Sequence, residues 1–89
     1  MVRLFARHLV KDYGVWRQAF DAFAPTQADM GVVASGVYRA DDNPNDVTVW
    51  HDFATVVEAN NLAQSDALKT TMMKAGVEGP PQIWITHAA

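Results

Sequence analysis

Apolar residues alternate at period two near both ends and in the middle of the chain, and between those stretches they return at the spacing of a helix face. Val2 to Val10 is rich in Val, Leu and Phe without Gly or Pro, which predicts a strand. Asp12 follows as a helix N-cap, and Trp16, Ala19, Phe20 and Phe23 fall at i, i+3, i+4 and i+7, with Arg17, Gln18 and Asp21 away from that face. Pro25 lacks an amide donor and disfavours helical geometry at Ala24, and Gly31 is a natural stop, so the helix is expected to end between residues 24 and 30. Val32 to Ala40 and Asp46 to Phe53 read as an antiparallel hairpin around Asp41-Asp42-Asn43-Pro44-Asn45, a cluster of turn formers. Thr55-Val56-Val57-Glu58 is a capping box that starts a second helical region. Ser65-Asp66 offers another cap, so a break or bend is expected near Ser65 before Leu68, Met72 and Ala75 resume helical spacing and Gly76 closes the segment. After Gly79-Pro80-Pro81, Ile83 and Ile85 alternate with Gln82, Trp84 and Thr86 up to His87, as in a half-buried strand.

The order βαββαβ implies one α+β domain over residues 1–89, a ferredoxin-like four-stranded antiparallel sheet with two helices on one face. Helices cover only that face. Leu4, Ala6, Val10, Val47, Val49, Phe53, Ile83 and Ile85 suit it, which leaves Arg3, Phe5, Arg7, Leu9, Thr48, Trp50, Asp52, Gln82, Trp84 and Thr86 opposite. Phe5, Trp50 and Trp84 are too much apolar area for a monomer to leave wet, so two such sheets are expected to pack face to face in a C₂ homodimer. The same mixture of aromatic and polar groups suits a small-molecule cavity as well as a plain interface, and both readings stand. Tyr38 and Arg39 point to opposite faces, and the pattern leaves open which enters the barrel.

Composition narrows the partners. With 7 Lys+Arg against 10 Asp+Glu and a net charge of −3, the chain lacks the basic cluster that nucleic acid requires. A ferredoxin-like RNA-binding domain would carry a basic, aromatic third strand, whereas Val47-Thr48-Val49-Trp50-His51-Asp52-Phe53 has no Lys or Arg. No apolar stretch approaches the roughly 20 residues needed to span a bilayer, and no signal peptide is evident, so a cytoplasmic protein without a membrane partner is expected. The absence of cysteine removes disulfides and thiol chemistry.

Several segments together resemble the dimeric α+β barrel superfamily, and within it small proteins akin to the antibiotic biosynthesis monooxygenase family. These are His8-Leu9-Val10-Lys11-Asp12-Tyr13 with Trp16 and Phe20-Asp21, Val37-Tyr38-Arg39 with Asp42-Asn43-Pro44, Trp50-His51-Asp52-Phe53 leading into Glu58-Ala59, and Met73-Lys74-Ala75-Gly76-Val77. The resemblance implies a dimeric barrel built from two sheets. Its members include cofactor-free oxygenases, polyketide cyclases, haem-degrading enzymes and proteins without known activity, so the fold does not choose among them.

Two histidines are the candidates for catalysis. His8-Leu9-Val10-Lys11-Asp12 and His51-Asp52-Phe53-Ala54-Thr55 each run His, any, apolar, any, helix cap, and the first and third strands are expected to be parallel neighbours, which would bring His8 and His51 close. An imidazole pair suits a general base or half a metal site, although both share the parity of the helix-facing set, where a histidine also serves as a hydrogen-bonded core residue. No metal-ligand spacing accompanies them, none stands out as a haem ligand, and no cofactor is called for. Phe5, Arg7, Trp50, Asp52 and Trp84 are the candidate substrate-binding residues: the aromatics would hold a planar compound and Arg7 would steady a phenolate or enolate, unless Arg7 simply pairs with Asp52. The Asp41 to Asp46 cluster lacks the Gly and Glu of a calcium loop and reads as a turn. Met72 shares the Leu68 stripe and reads as core. Gly76-Val77-Glu78-Gly79-Pro80 reads as a helix exit rather than a phosphate loop. The sequence thus supports a homodimer that binds an aromatic or polyketide-like molecule, as a cofactor-independent monooxygenase or cyclase, or else a non-catalytic ligand-binding or interaction module.

Overall fold

A computed structural model describes residues 1–89. The alternation of β1 (Val2–Val10) organises the sheet: Val2, Leu4, Ala6, His8 and Val10 are buried, while the residues between them are half-buried or exposed. The other elements are α1 (Tyr13–Asp29), β2 (Ala34–Ala40), β3 (Asn43–Phe53), α2 (Val56–Ala63), α3 (Asp66–Lys74) and β4 (Val77–His87). The sheet order is β2-β3-β1-β4, and every neighbouring pair is antiparallel. This corrects the expectation that β1 and β3 run parallel. In a split βαβ the crossover from β1 leads to β2, and β3 returns between them in the opposite direction.

Caps start each helix where the sequence places them. Asp12 accepts from the Val15 amide, Thr55 from Glu58 and Ser65 from Leu68. The Ser65 cap divides the second helical region into α2 and α3, as its position predicts. Pro25 does not end α1, which runs four residues further to Asp29 before Gly31 turns the chain at φ 102°. Only one amide is lost there, close to the helix end.

Strand boundaries depart from the pattern at three places. β2 begins at Ala34, and β3 begins at Asn43 because the tight turn is confined to Asp41 and Asp42, with Ala40 opposite Asn43. β4 begins at Val77 rather than Gln82. The segment read as a helix exit pairs with the end of β1, and the register slips between Arg7 and Leu9, which accommodates Gly79, Pro80 and Pro81 in an irregularity of an edge strand.

Two clusters fill the space under the helices. Val2, Leu4, Ala6, Phe23, Phe53, Ala59 and Leu62 form one, and Val10, Trp16, Val47, Val49 and Ala75 form the other. Burying a side chain such as Phe53, Leu4 or Leu62 contributes about 1.5–3 kcal/mol each. The open face has its own packing. Gly36, Trp50, Phe5 and Trp84 lie opposite one another across all four strands, and the Trp50 indole lies down over Gly36.

A Cβ on Gly36 would meet the Trp50 ring at 2.4–2.7 Å. Gly36→Ala should therefore destabilise the protein by about 1–3 kcal/mol, as overpacking does. Chemical denaturation should show most of that cost disappearing in a Trp50→Ala background, as expected for two residues in direct contact.

Candidate functional site

A partly enclosed cavity lies between the sheet and the helices. Fifteen residues line it and eleven of them are hydrophobic, so its walls are those of an apolar pocket. β1 and β3 supply its floor, including His8 and His51. α1 supplies one wall through Trp16, Phe20, Phe23 and Gln27, and α3 the other through Leu68, Thr71 and Met72. The volume open to the centre of a water molecule is about 40 Å³. That holds a few waters at most, so a larger ligand requires α3 to move outward. No residue of α3 is fully buried.

The α1 wall is aromatic from one histidine to the other. The ring centroid of His8 lies 5.8 Å from Trp16, Trp16 stacks on Phe20 at 5.0 Å and 18°, and Phe20 lies 6.2 Å from His51. Trp16, Phe20, Phe23 and Gln27 follow one another at steps of four, three and four residues, which keeps them on one face of α1. Gln27 escaped the sequence reading, although a polar residue continuing an apolar stripe is a legible signal.

The cavity's polar groups are short of partners. His8 and His51 are 7% and 5% exposed. Neither His8 nitrogen nor His51 Nδ1 has a hydrogen-bond partner in the protein, whereas His51 Nε2 meets the Gln27 amide nitrogen at 3.1 Å. Leaving such a group unsatisfied costs about 1–3 kcal/mol. Burial pushes the His8 imidazole below its ordinary pKa, against a small opposing effect of Asp46, and pushes His51 down to about 4. Both rings are thus neutral near pH 7. No Asp, Glu, Lys or Arg lines the cavity.

His8 and His51 therefore share one site, but not by parallel adjacency. His51 lies opposite Leu4, four residues from His8 along β1, or about 14 Å along the strand direction. The five residues expected to bind substrate fall on the other side of the sheet. Phe5 stacks on Trp84 at 5.4 Å, and Trp84 remains 43% exposed. The alternative pairing of Arg7 with Asp52 is not formed. Asp52 accepts two hydrogen bonds from Arg3, at 2.7 and 3.0 Å, and Arg7 donates two to Asp46, at 3.0 and 2.7 Å. Asp52 stands directly opposite Arg3 in the register, which decides the exchange. Arg3 also lies 3.9 Å above the Trp50 ring. Tyr38 shares this open face, opposite Thr48, while Arg39 lies on the helix side, 3.9 Å from the Tyr13 ring.

Solved structures match this architecture over nearly the whole chain. A Bordetella bronchiseptica protein described as an antibiotic biosynthesis monooxygenase superposes with a TM-score of 0.83 at 17% identity, covering 99% of this chain and 96% of its own. SnoaB, a cofactor-independent oxygenase from Streptomyces nogalater, gives 0.80 at 13% identity, covering 99% and 92%. The chain shares the ferredoxin-like fold of these proteins. No protein-family profile matches the sequence, and no curated protein does. No helix is long and apolar enough to cross a membrane.

The histidines link stability to pH. His51 has a lower pKa folded than unfolded, so its neutral form is favoured in the native state: stability is full above about 6.5 and falls as pH drops toward 4. Between pH 7.5 and pH 5 the loss should be about 2 kcal/mol from His51, with His8 acting in the same direction. Urea unfolding at the two pH values should show this loss reduced in His51→Gln.

Proposed function

We propose that this protein is a homodimer that holds a neutral, flat, largely apolar compound of the hydroxylated aromatic or polyketide type beneath its helices, and oxidises it with dioxygen without a cofactor. The observation that carries this reading is an apolar cavity whose buried imidazoles have three nitrogens without a protein partner. A ligand with polar groups at its edges would satisfy them, and the aromatic wall would stack on its rings. A carboxylate or phosphate would find no cation there.

His8 would act as the base. Burial keeps it unprotonated, and neither nitrogen is committed to the protein. It would take a proton from a carbon acidified by an adjacent aromatic ketone. The carbanion's electron pair would form a C–O bond with dioxygen, the peroxide would be protonated, and loss of water would leave a new carbonyl, so that R₂CH₂ + O₂ gives R₂C=O + H₂O. The substrate is the reductant, and the protein supplies a base and an enclosure that excludes bulk water. The fold shared with SnoaB, itself a cofactor-independent oxygenase, supports this chemistry by analogy.

The open face supports the dimer. Trp84, Tyr38 and Leu9 are 43%, 65% and 50% exposed beside half-buried Phe5 and Trp50, and a second sheet would cover them. The two arginine–aspartate pairs are already formed within the protomer, which lowers the cost of desolvating them.

Purified protein should bind 1,8-dihydroxyanthrone and accelerate its oxygen uptake, with one dioxygen consumed per quinone formed. His8→Ala should lower the rate about 100-fold or more while native mass spectrometry still shows a dimer. An unchanged rate in that variant would remove His8 as the base. Trp84→Lys should weaken the dimer about thirtyfold or more, read by sedimentation against concentration; a wild-type monomer would overturn the assembly.

A further inference from the structure

We infer that Gln27 is a positioning residue that fixes the tautomer of His51, so that the two cavity histidines take opposite hydrogen-bonding roles: His51 donates to a ligand carbonyl and His8 accepts its acidic proton. This deepens the proposed oxygenase site and rests on the cavity being where the ligand sits.

Gln27 is 4% exposed, and its side-chain nitrogen lies 3.1 Å from His51 Nε2, itself enclosed. With the carboxamide in this orientation its nitrogen donates, so His51 Nε2 accepts and carries no proton. A neutral imidazole has one proton, which is then on Nδ1. That atom is buried and has no partner in the protein, and His51 lines the cavity, so its acceptor must be a ligand or a water held there.

His8 differs in the one respect that matters. Neither buried nitrogen has a hydrogen-bond partner in the protein, so its tautomer is free to follow the ligand and to leave one nitrogen bare toward an acidic hydrogen. The site is asymmetric because only one of its imidazoles has a glutamine behind it. Trp16 and Phe20 lie between the two rings, and the Cα atoms are about 14 Å apart along the strand direction, which leaves space for a fused-ring body to lie against that wall once α3 moves.

The ligand class follows: a fused aromatic ketone with an acidic C–H or O–H across the ring system from its carbonyl. When His8 removes the proton, negative charge develops on the carbonyl oxygen, and a neutral N–H donor fixed at that position stabilises the oxyanion more than the ketone. Gln27 lines the same cavity and holds His51 Nε2, so its effect on the tautomer is exerted through the ring.

Long-range ¹H–¹⁵N correlation spectra of ¹⁵N-labelled full-length protein at pH 7.5 read the tautomer directly, with His51 identified by the signals lost in His51→Gln. His51 should show a protonated Nδ1 and a bare Nε2. In Gln27→Met, similar in size but with no donor, the ring should shift toward the Nε2-protonated form, and the rate of 1,8-dihydroxyanthrone oxidation should fall tenfold or more with little change in KM. A wild-type ring protonated at Nε2 would overturn the inference, as would an unchanged tautomer in Gln27→Met. If Gln27→Met does not fold, the wild-type spectrum still decides. Absence of anthrone binding with the expected tautomer present would instead overturn the proposed ligand site, so the two failures are distinguishable.

Discussion

The structure depends on the period-two alternation of β1, an inner strand hydrogen-bonded on both sides. One parity of its residues goes under the helices and the other to the open face, and a slip of one residue would exchange the two sets. Leu4 and Val10 anchor the buried parity, and His8 shares it, so the apolar residues that fix the register also carry an imidazole beneath the helices. Arg3 and Arg7 have the other parity and meet Asp52 and Asp46 there. Packing and site chemistry are therefore set by the same alternation.

The two faces satisfy their polar groups in different ways. On the open face the ion pairs close within the chain and the aromatic residues settle on one another, with Gly36 leaving room for the Trp50 ring. Beneath the helices Gln27 meets one nitrogen of His51 and three imidazole nitrogens remain without a protein partner. Buried polar groups are normally paired, and departures from that rule concentrate at sites with a task.

Much of this was legible in the sequence because it is local. The β1 limits, the Asp12, Thr55 and Ser65 caps and the parity of His8 and His51 all follow from spacing of a few residues. The strand direction of β3 against β1 was not, since it depends on the path of the whole split βαβ. Nor was the location of the cavity: parity separates Trp50 and Trp84 from His8 and His51, but it does not say which face packs tightly. The glycine that lets Trp50 lie flat is on another strand, and its effect is visible only once the register is known. Gln27 was missed for the opposite reason, because its place on the Trp16, Phe20, Phe23 stripe was local and its polarity hid it among ordinary helix-end residues.

The division of the second helical region at Ser65 has a kinetic meaning. α3 has its own N-cap and buries no residue fully between Asp66 and Lys74, and its C-cap Ala75 sits in the core just before the left-handed Gly76. Its backbone hydrogen bonds are therefore independent of where it lies on the body of the protein. Displacing it about the buried Ala75 would break side-chain contacts such as those of Leu68 and Met72 and leave the helix intact, so such a displacement would belong with rigid-element shifts on the microsecond to millisecond scale rather than with unfolding. The residence time of anything enclosed beneath it would then be set by the grip of a few apolar side chains.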